Sequence, residues 1–218
     1  MKNTIVYTAI FGGYDLLRKP LTPGHFVCTH DGTVEIPDGW ESRQINNHIK
    51  HAGYSSRYYK ITGGDIFDES RYSIWLDGNI QLKVPSEELV KKYLAHGDIA
   101  IHKHPTRDCA YDEADVCMRQ KLDRIATLMG QKRYYNLQCF PQHFGLWETG
   151  VLIRRHTKAI RDLSTAWWEE LQSQSIRDQI GLPYVLWLSK IKPVIIPGNL
   201  QSNSGTEFTY YQHTKGRL

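Results

Sequence analysis

An aspartate and an asparagine stand two residues apart, Asp77-Gly78-Asn79, directly after the apolar run Ile74-Trp75-Leu76. Both side chains end in hard oxygens. Held at the tip of a strand, such a pair can coordinate a divalent cation such as Mg2+ or Mn2+. Gly78 lets the backbone turn tightly between them. The same tripeptide is also an ordinary turn sequence, so the metal reading rests on what precedes it. Residues 72–76 show little apolar–polar alternation, which is the pattern of a strand covered on both faces. In open α/β sheets, ligands sit just beyond the carboxyl ends of such strands. Upstream, Arg57 and Lys60 could meet phosphate oxygens, Arg through its two-pronged fork. The ordinary fate of a surface Lys or Arg is simple solvation.

These groups must be positioned by an alternation of short apolar strands and amphipathic helices. Residues 4–11 are β-prone and stop at Gly12-Gly13, with Tyr14 and Asp15 on the loop that follows. A strand running into a glycine pair lets a nucleotide approach the backbone, and it also makes a plain tight turn. There is no G-x-G-x-x-G, so a dinucleotide site is not expected. Further strands are predicted at 25–29, 40–45, 72–76, 98–101, 151–153 and 193–196, with a last one opening at Phe208. A helix or extended turn with a basic face covers 47–59. The next helix starts with Ser86 as its N-cap, carries Glu87 and Glu88 in its first turn, and closes at Gly97. One long helix is predicted over 111–129, ended by Gly130. Others follow over 159–171, from a cap at Ser175, and over 184–188. Asp178 falls in a first helical turn, where the helix dipole accounts for it without chemistry. Basic clusters lie at 102–107 and at Arg154-Arg155.

The composition narrows the classes. The chain has 218 residues, 40% hydrophobic and 23% charged, enough for a packed core. A net charge of +4 suits a small anionic ligand and falls short of a nucleic-acid-binding stripe. Thirteen tyrosines and six tryptophans supply rings for sugar or base stacking, or for the core. Cys28, Cys109, Cys117 and Cys139 form no C-x-x-C pair, so a zinc site is not expected and a reducing compartment is. Met1-Lys2-Asn3-Thr4 leads straight into a strand, without a signal peptide. No apolar run approaches the ~20 residues of a membrane span. The expectation is a cytoplasmic protein with one domain over 1–218, whole or part of a longer protein.

Several segments, taken together and in order, resemble one family. They are Tyr7-Thr8-Ala9-Ile10-Phe11-Gly12-Gly13-Tyr14-Asp15, Arg57-Tyr58-Tyr59-Lys60-Ile61, Ser73-Ile74-Trp75-Leu76-Asp77-Gly78-Asn79, His104-Pro105-Thr106-Arg107-Asp108-Cys109-Ala110-Tyr111-Asp112-Glu113-Ala114 and Ser175-Ile176-Arg177-Asp178-Gln179. The pattern is similar to the glycosyltransferase-like family that includes the plant turgor-regulation and mucilage-related proteins. The resemblance implies a GT-A type α/β fold, with a mixed, mostly parallel central sheet flanked by helices. It implies a nucleoside-diphosphate-sugar donor (a UDP-sugar), a glycan acceptor, and Mn2+ or Mg2+.

The family's Asp-x-Asp would be Asp77-Gly78-Asn79 here. The Asn79 amide can coordinate through its carbonyl oxygen but cancels less of the metal's charge. His213-Thr214-Lys215-Gly216 resembles the carboxyl-terminal His and Lys of glycogenin-like transferases. By that likeness His213 is a further metal ligand and Lys215 meets a phosphate. Arg177-Asp178-Gln179 resembles the Asp-Gln segment that faces the donor sugar. Thr8, Ala9, Tyr14 and Asp15 would then bind base and ribose, while Arg57 and Lys60 join Asp77, Gly78 and Gln179 around the donor. For the carboxylate that takes the acceptor's proton, Asp178 is the first choice and Glu148 the second. Trp147 is either an acceptor platform or core. The alternative to an enzyme is a non-catalytic nucleotide- or glycan-binding module of the same fold. A nucleic-acid binder and a Cys–His hydrolase fit the residues less well.

Overall fold

The computed structural model describes residues 2–46, 49–200 and 205–213. Strands β1 (Lys2–Ile10) and β4 (Ser70–Leu76) lie side by side in the middle of a seven-stranded sheet. The sheet order is β3-β2-β1-β4-β7-β6-β8, with β2 (Phe26–His30), β3 (Trp40–Gln44), β6 (Ile99–Lys103), β7 (Trp147–Arg155) and β8 (Val194–Ile196). Only β7 runs against its neighbours β4 and β6; the other pairings are parallel. The carboxyl ends of six strands therefore open on one edge. Beside that edge, β5 (Ile80–Leu82) and β9 (Phe208–Tyr210) form a small antiparallel pair. The mixed, mostly parallel sheet flanked by helices is the architecture expected from the family resemblance.

Helices cover both faces, and the two-residue period of the strands divides the core between them. In β1 and β4, Tyr7 and Trp75 face one layer while Val6 and Ile74 face the other. The first layer holds α1 (Ala52–Thr62), α4 (Ala110–Arg119), α5 (Ile125–Leu137), α6 (Lys158–Ser173) and α7 (Asp178–Ser189). The second holds α3 (Ser86–Tyr93) and the β5–β9 pair. The short α2 (Ile66–Glu69) leads into β4. Because both faces are covered, β4 needs no apolar–polar alternation, and 74–76 are fully buried.

Several boundaries differ from the sequence reading. The long helix expected over 111–129 is two helices, and Gly130 lies inside the second. Lys121 takes a left-handed turn at φ 54°. Asp123 then accepts hydrogen bonds from Ser175 Oγ (2.6 Å) and the Ile176 amide (3.1 Å). The break thus docks the segment that leads into α7, which the amphipathic pattern of 111–129 does not reveal. Ser86 is the first helical residue, not a cap; Pro85 holds the N-cap position, and α3 ends at Tyr93 with Leu94 as its C-cap, rather than at Gly97. Ser175 accepts from the Arg177 amide instead of capping α7, which is one helix containing the predicted 184–188 and Pro183. The helix predicted over 47–59 begins only at Ala52, and residues 47–48 lie outside the described residues.

Arg154 is the one fully buried arginine of the sheet, and among the described residues no carboxylate faces it. Its guanidinium donates to the carbonyls of Lys60 (2.8 Å) and Ile61 (2.9 Å) and to the Tyr7 hydroxyl, and it lies 4.7 Å from the Phe67 ring. The last carbonyls of α1 have no intrahelical partners and carry the negative end of its dipole. They take the place of a counter-ion. Methionine at 154 would leave the Ile61 carbonyl without its donor and the Lys60 carbonyl with only the Tyr7 hydroxyl at 3.3 Å. Arg154→Met is expected to lower unfolding free energy by about 2–4 kcal/mol at unchanged m-value in urea melts.

Next to this anchor, His156 stacks on Phe67 at 4.2 Å, with Nδ1 2.8 Å from the Ser70 carbonyl and Nε2 2.8 Å from Ser73 Oγ. Burial, which outweighs the Ser70 carbonyl, pushes the imidazole down to about 4. The folded state keeps the ring neutral, so its contribution is complete above the unfolded value of ~6.5 and is lost as pH falls through 4. The melting temperature is expected to drop between pH 7 and 4.5, and His156→Gln to flatten that drop in calorimetric scans.

Candidate functional site

The Lys60 ammonium sits at the centre of a buried polar cluster at the sheet's open edge. Nζ lies 2.8 Å from Asp178 Oδ2, 3.0 Å from Thr149 Oγ1 and 3.2 Å from Asp77 Oδ1. The partners come from three elements: the first residue of α7, strand β7 and the end of β4. Thr149 Oγ1 donates onward to Asp178 Oδ2 at 2.9 Å. Asp77 Oδ1 also accepts from Trp75 Nε1 at 2.8 Å. Arg57, three residues before Lys60 and so on the same face of α1, places Nε 3.8 Å from Asp178 Oδ1. Burial alone would raise the Asp178 carboxyl. The charges of Lys60 and Arg57, with the hydrogen bond from Lys60, outweigh it and hold Asp178 well below the usual carboxylate range. Asp178 is therefore an ionised group fixed between cations.

The Asp77-Gly78-Asn79 segment is a tight turn and more than that. The Asp77 amide donates to the Gly150 carbonyl (2.8 Å), and the Asp77 carbonyl accepts from the Ile80 amide (2.8 Å). A Cβ at Gly78 would stand 2.8 Å from Ile10 Cδ1 and 3.1 Å from Asp15 Cβ, so only glycine lets the turn pack on the loop after β1. Asp77 Oδ2 points toward Gly150, 3.3 Å from where a Cβ there would lie. Asn79 is buried: Nδ2 donates to the Tyr211 carbonyl (2.7 Å), and its own carbonyl accepts from the Tyr211 amide (2.9 Å). Its Oδ1 is buried with no hydrogen-bond partner among the described residues. His213 Nδ1 lies 2.9 Å and 3.1 Å from the Asp15 carboxylate oxygens, and its ring packs 4.9 Å from Tyr14.

A buried amide oxygen with no partner among the described residues, two positions after a half-exposed carboxylate, has the chemistry of a hard divalent cation's ligands. The trio that could ligate through His, Cys, Asp or Glu atoms alone is elsewhere among the described residues. A cation here would draw on Asn79 and on ligand oxygens as well.

The sequence-predicted residues thus fall into two adjoining groups. Lys60, Arg57, Asp77 and Asp178 meet directly. Tyr14, Asp15, Gly78, Asn79 and His213 meet through the turn and the returning chain. Gln179 is the next residue of α7, half-buried beside Asp178. Thr8 and Ala9 are buried in β1, and the Ala9 carbonyl accepts from Ser56 Oγ, so their side chains are enclosed by protein. Glu148 precedes Thr149 and so faces the other side of β7. There Oε2 accepts from the Leu200 amide at 3.3 Å, and burial raises its carboxyl. Trp147 is core, packed near Phe144. Lys215 lies outside the described residues.

Sequence reasoning missed Thr149 and the Trp75 indole. Nothing local marks Thr149; only the antiparallel pairing of β7 with β4 brings it under Lys60. The expected basic clusters do not form a surface either. His102 and Arg154 are buried, and Arg107 is bound to Glu113 at 2.7 Å.

Comparison with known proteins bears on the fold and the family. The description "TOD1/MUCI70, glycosyltransferase-like domain" matches residues 45–200. A protein of Arabidopsis thaliana named alkaline ceramidase TOD1 is 24% identical over 219 residues, covering 83% of this chain and 47% of that protein. The chain therefore spans about half the length of this curated relative. The apo structure of the bifunctional glycosyltransferase WbbM superposes with a TM-score of 0.53 at 9% identity, over 90% of this chain and 39% of that one. At that identity the likeness speaks for the fold. With the family description covering most of its length, the chain belongs to the TOD1/MUCI70 glycosyltransferase-like family.

Proposed function

We propose that this chain is a metal-dependent glycosyltransferase that moves a sugar from a nucleoside-diphosphate-sugar, a UDP-sugar in the first instance, to a glycan or protein-linked glycan. The observation that carries the reading is the buried cluster of Lys60, Arg57, Asp77 and Asp178 at the carboxyl edge of β4, with Asn79 two positions further on and its side-chain oxygen buried without a hydrogen-bond partner among the described residues. Asp77, Asn79 and His213 would hold Mn2+ or Mg2+, with diphosphate oxygens completing the shell. The cation would neutralise charge on the departing diphosphate.

The chain's own residues do the rest. Lys60 and Arg57 present positive charge where negative charge builds on the leaving group. Tyr14 and Asp15 line the approach of the nucleoside, and Lys215 is assigned to a phosphate. Asp178 begins as a weak base because Lys60 and Arg57 hold it ionised. A diphosphate that recruits Lys60 removes part of that restraint, so donor binding strengthens Asp178 as the group that takes the acceptor's proton. Gln179 would contact the donor sugar. Glu148 receives no role in this scheme. A cytoplasmic setting and one domain over 1–218 belong to the same reading. In its support, all four cysteines are free and no described helix is long and apolar enough to cross a membrane.

The decisive assay is donor hydrolysis and nucleotide binding with Mn2+ present. Wild type is expected to bind a UDP-sugar in calorimetry and hydrolyse it slowly, and Asp77→Ala to lose both. Binding without turnover would point to a non-catalytic module. Turnover of ceramide with no nucleotide-sugar binding would favour the activity in the Arabidopsis relative's name. No binding in either protein would end the reading.

Lys60 gives a second test. Lys60→Met strands two carboxylates, and is expected to lower stability on the order of 3 kcal/mol and activity at least ~100-fold. Lys60→Met with Asp178→Leu should regain most of the stability and none of the activity.

A further inference from the structure

Away from the Lys60 cluster, one set of side chains has an unassigned arrangement. Cys109, Asp112 and His143 each bring a ligand-type atom within 4.8 Å of the other two. We propose that these three residues form a binding site for a divalent transition metal of the zinc class, with Asp108 orienting the imidazole.

Cys109 holds the N-cap position of α4 and its side chain makes no capping bond. A divalent ion bound there would displace the thiol proton. Asp112 is three residues further on, in the first turn, and so shares a face with Cys109. His143 arrives from the connection between α5 and β7 in a left-handed conformation, φ 57°, uncommon for a residue with a side chain. Its Nδ1 lies 2.7 Å from Asp108 Oδ1, the carboxylate–imidazole pairing that typically steadies a metal-bound histidine. The loop is fixed behind it by a 2.9 Å bond from the Gly145 amide to the Asp108 carbonyl.

The donor set decides the class of ion. Sulfur, imidazole nitrogen and one carboxylate suit zinc, whereas Mg2+ and Mn2+ prefer oxygen. A thiolate and one carboxylate together match a divalent charge. Arg107, two positions before Cys109, is taken by Glu113 at 2.7 Å. Ligands about 2.0–2.3 Å from a tetrahedral centre stand roughly 3.3–3.8 Å apart, so the cluster must close by about 1 Å. Cys109 is buried and supplies a fixed floor; Asp112 and His143 are exposed and can make that adjustment. A solvent molecule would fill the fourth position. The spacing rule that argues against zinc fails here because Asp108 and His143 are 35 positions apart and meet only through the fold. The ion would tie the segment after β6 to the segment before β7, at the same sheet edge as the Asp77 turn.

The experiment uses the full chain, stripped with a chelator and titrated with Co2+ and then Zn2+. One equivalent of Co2+ is expected to give a thiolate-to-cobalt charge-transfer band that Zn2+ abolishes, and Zn2+ to raise the melting temperature. Cys109→Ala should remove the band and Cys139→Ser should keep it. His143→Gln changes only an exposed side chain and should weaken Co2+ binding roughly tenfold or more. Asp77→Ala should leave the band intact, which separates this site from the proposed donor site. No charge-transfer band at equimolar Co2+ would overturn the proposal. So would a band that persists in Cys109→Ala, or unchanged affinity in His143→Gln.

Discussion

A lysine ammonium enclosed by protein is the constraint on which the open edge of this sheet depends. Lys60 is withdrawn from water, and that is tolerable only because Asp178, Asp77 and Thr149 meet it with oxygen atoms from separate elements. Each partner is placed by something else. Asp178 opens a helix, Thr149 comes on the antiparallel strand, and Asp77 ends the central strand with its indole neighbour holding the same oxygen. Hence α1, α7, β7 and β4 are aligned by one charge as well as by their shared apolar layer.

The other end of that alignment is Arg154. Its guanidinium reaches the carbonyl of Lys60 itself, so the residue that offers a cation to the cluster is held from behind by a second cation. The two charges are kept apart by the helix backbone, whose terminal carbonyls face the arginine. A buried positive pair would ordinarily be unfavourable; here each member has its own set of oxygens. This explains how a basic last turn of α1 can be buried.

Much of this was legible in the residues and some was not. The unalternating run before Asp77 announced a central strand, and the ordered segments announced the family and its sheet. Lys60, Asp77 and Asp178 could be named because each sits in a recognisable stretch. Thr149 could not, because its role comes from a partner strand far away in the chain. The division of 111–129 was hidden for a related reason: apolar residues recur at helical spacing across the break although Ile125 is exposed, and the break is set by Asp123 binding a segment fifty-odd positions later. Glu148 looked suitable as a carboxylate, yet the alternation of β7 turns it to the opposite layer. Local pattern reported element type well and failed wherever a long-range hydrogen bond made the decision.

The pairing of Asn79 with Tyr211 spans 132 positions, and that of Asp15 with His213 spans 198. Such contacts have a very high sequence separation and form late, because the intervening loop must be closed first. During synthesis the seven sheet strands can emerge and pair before residues 205–213 leave the ribosome. The turn after β4 would meanwhile lack its cover. The turn is thus covered only once the strands it follows are already made.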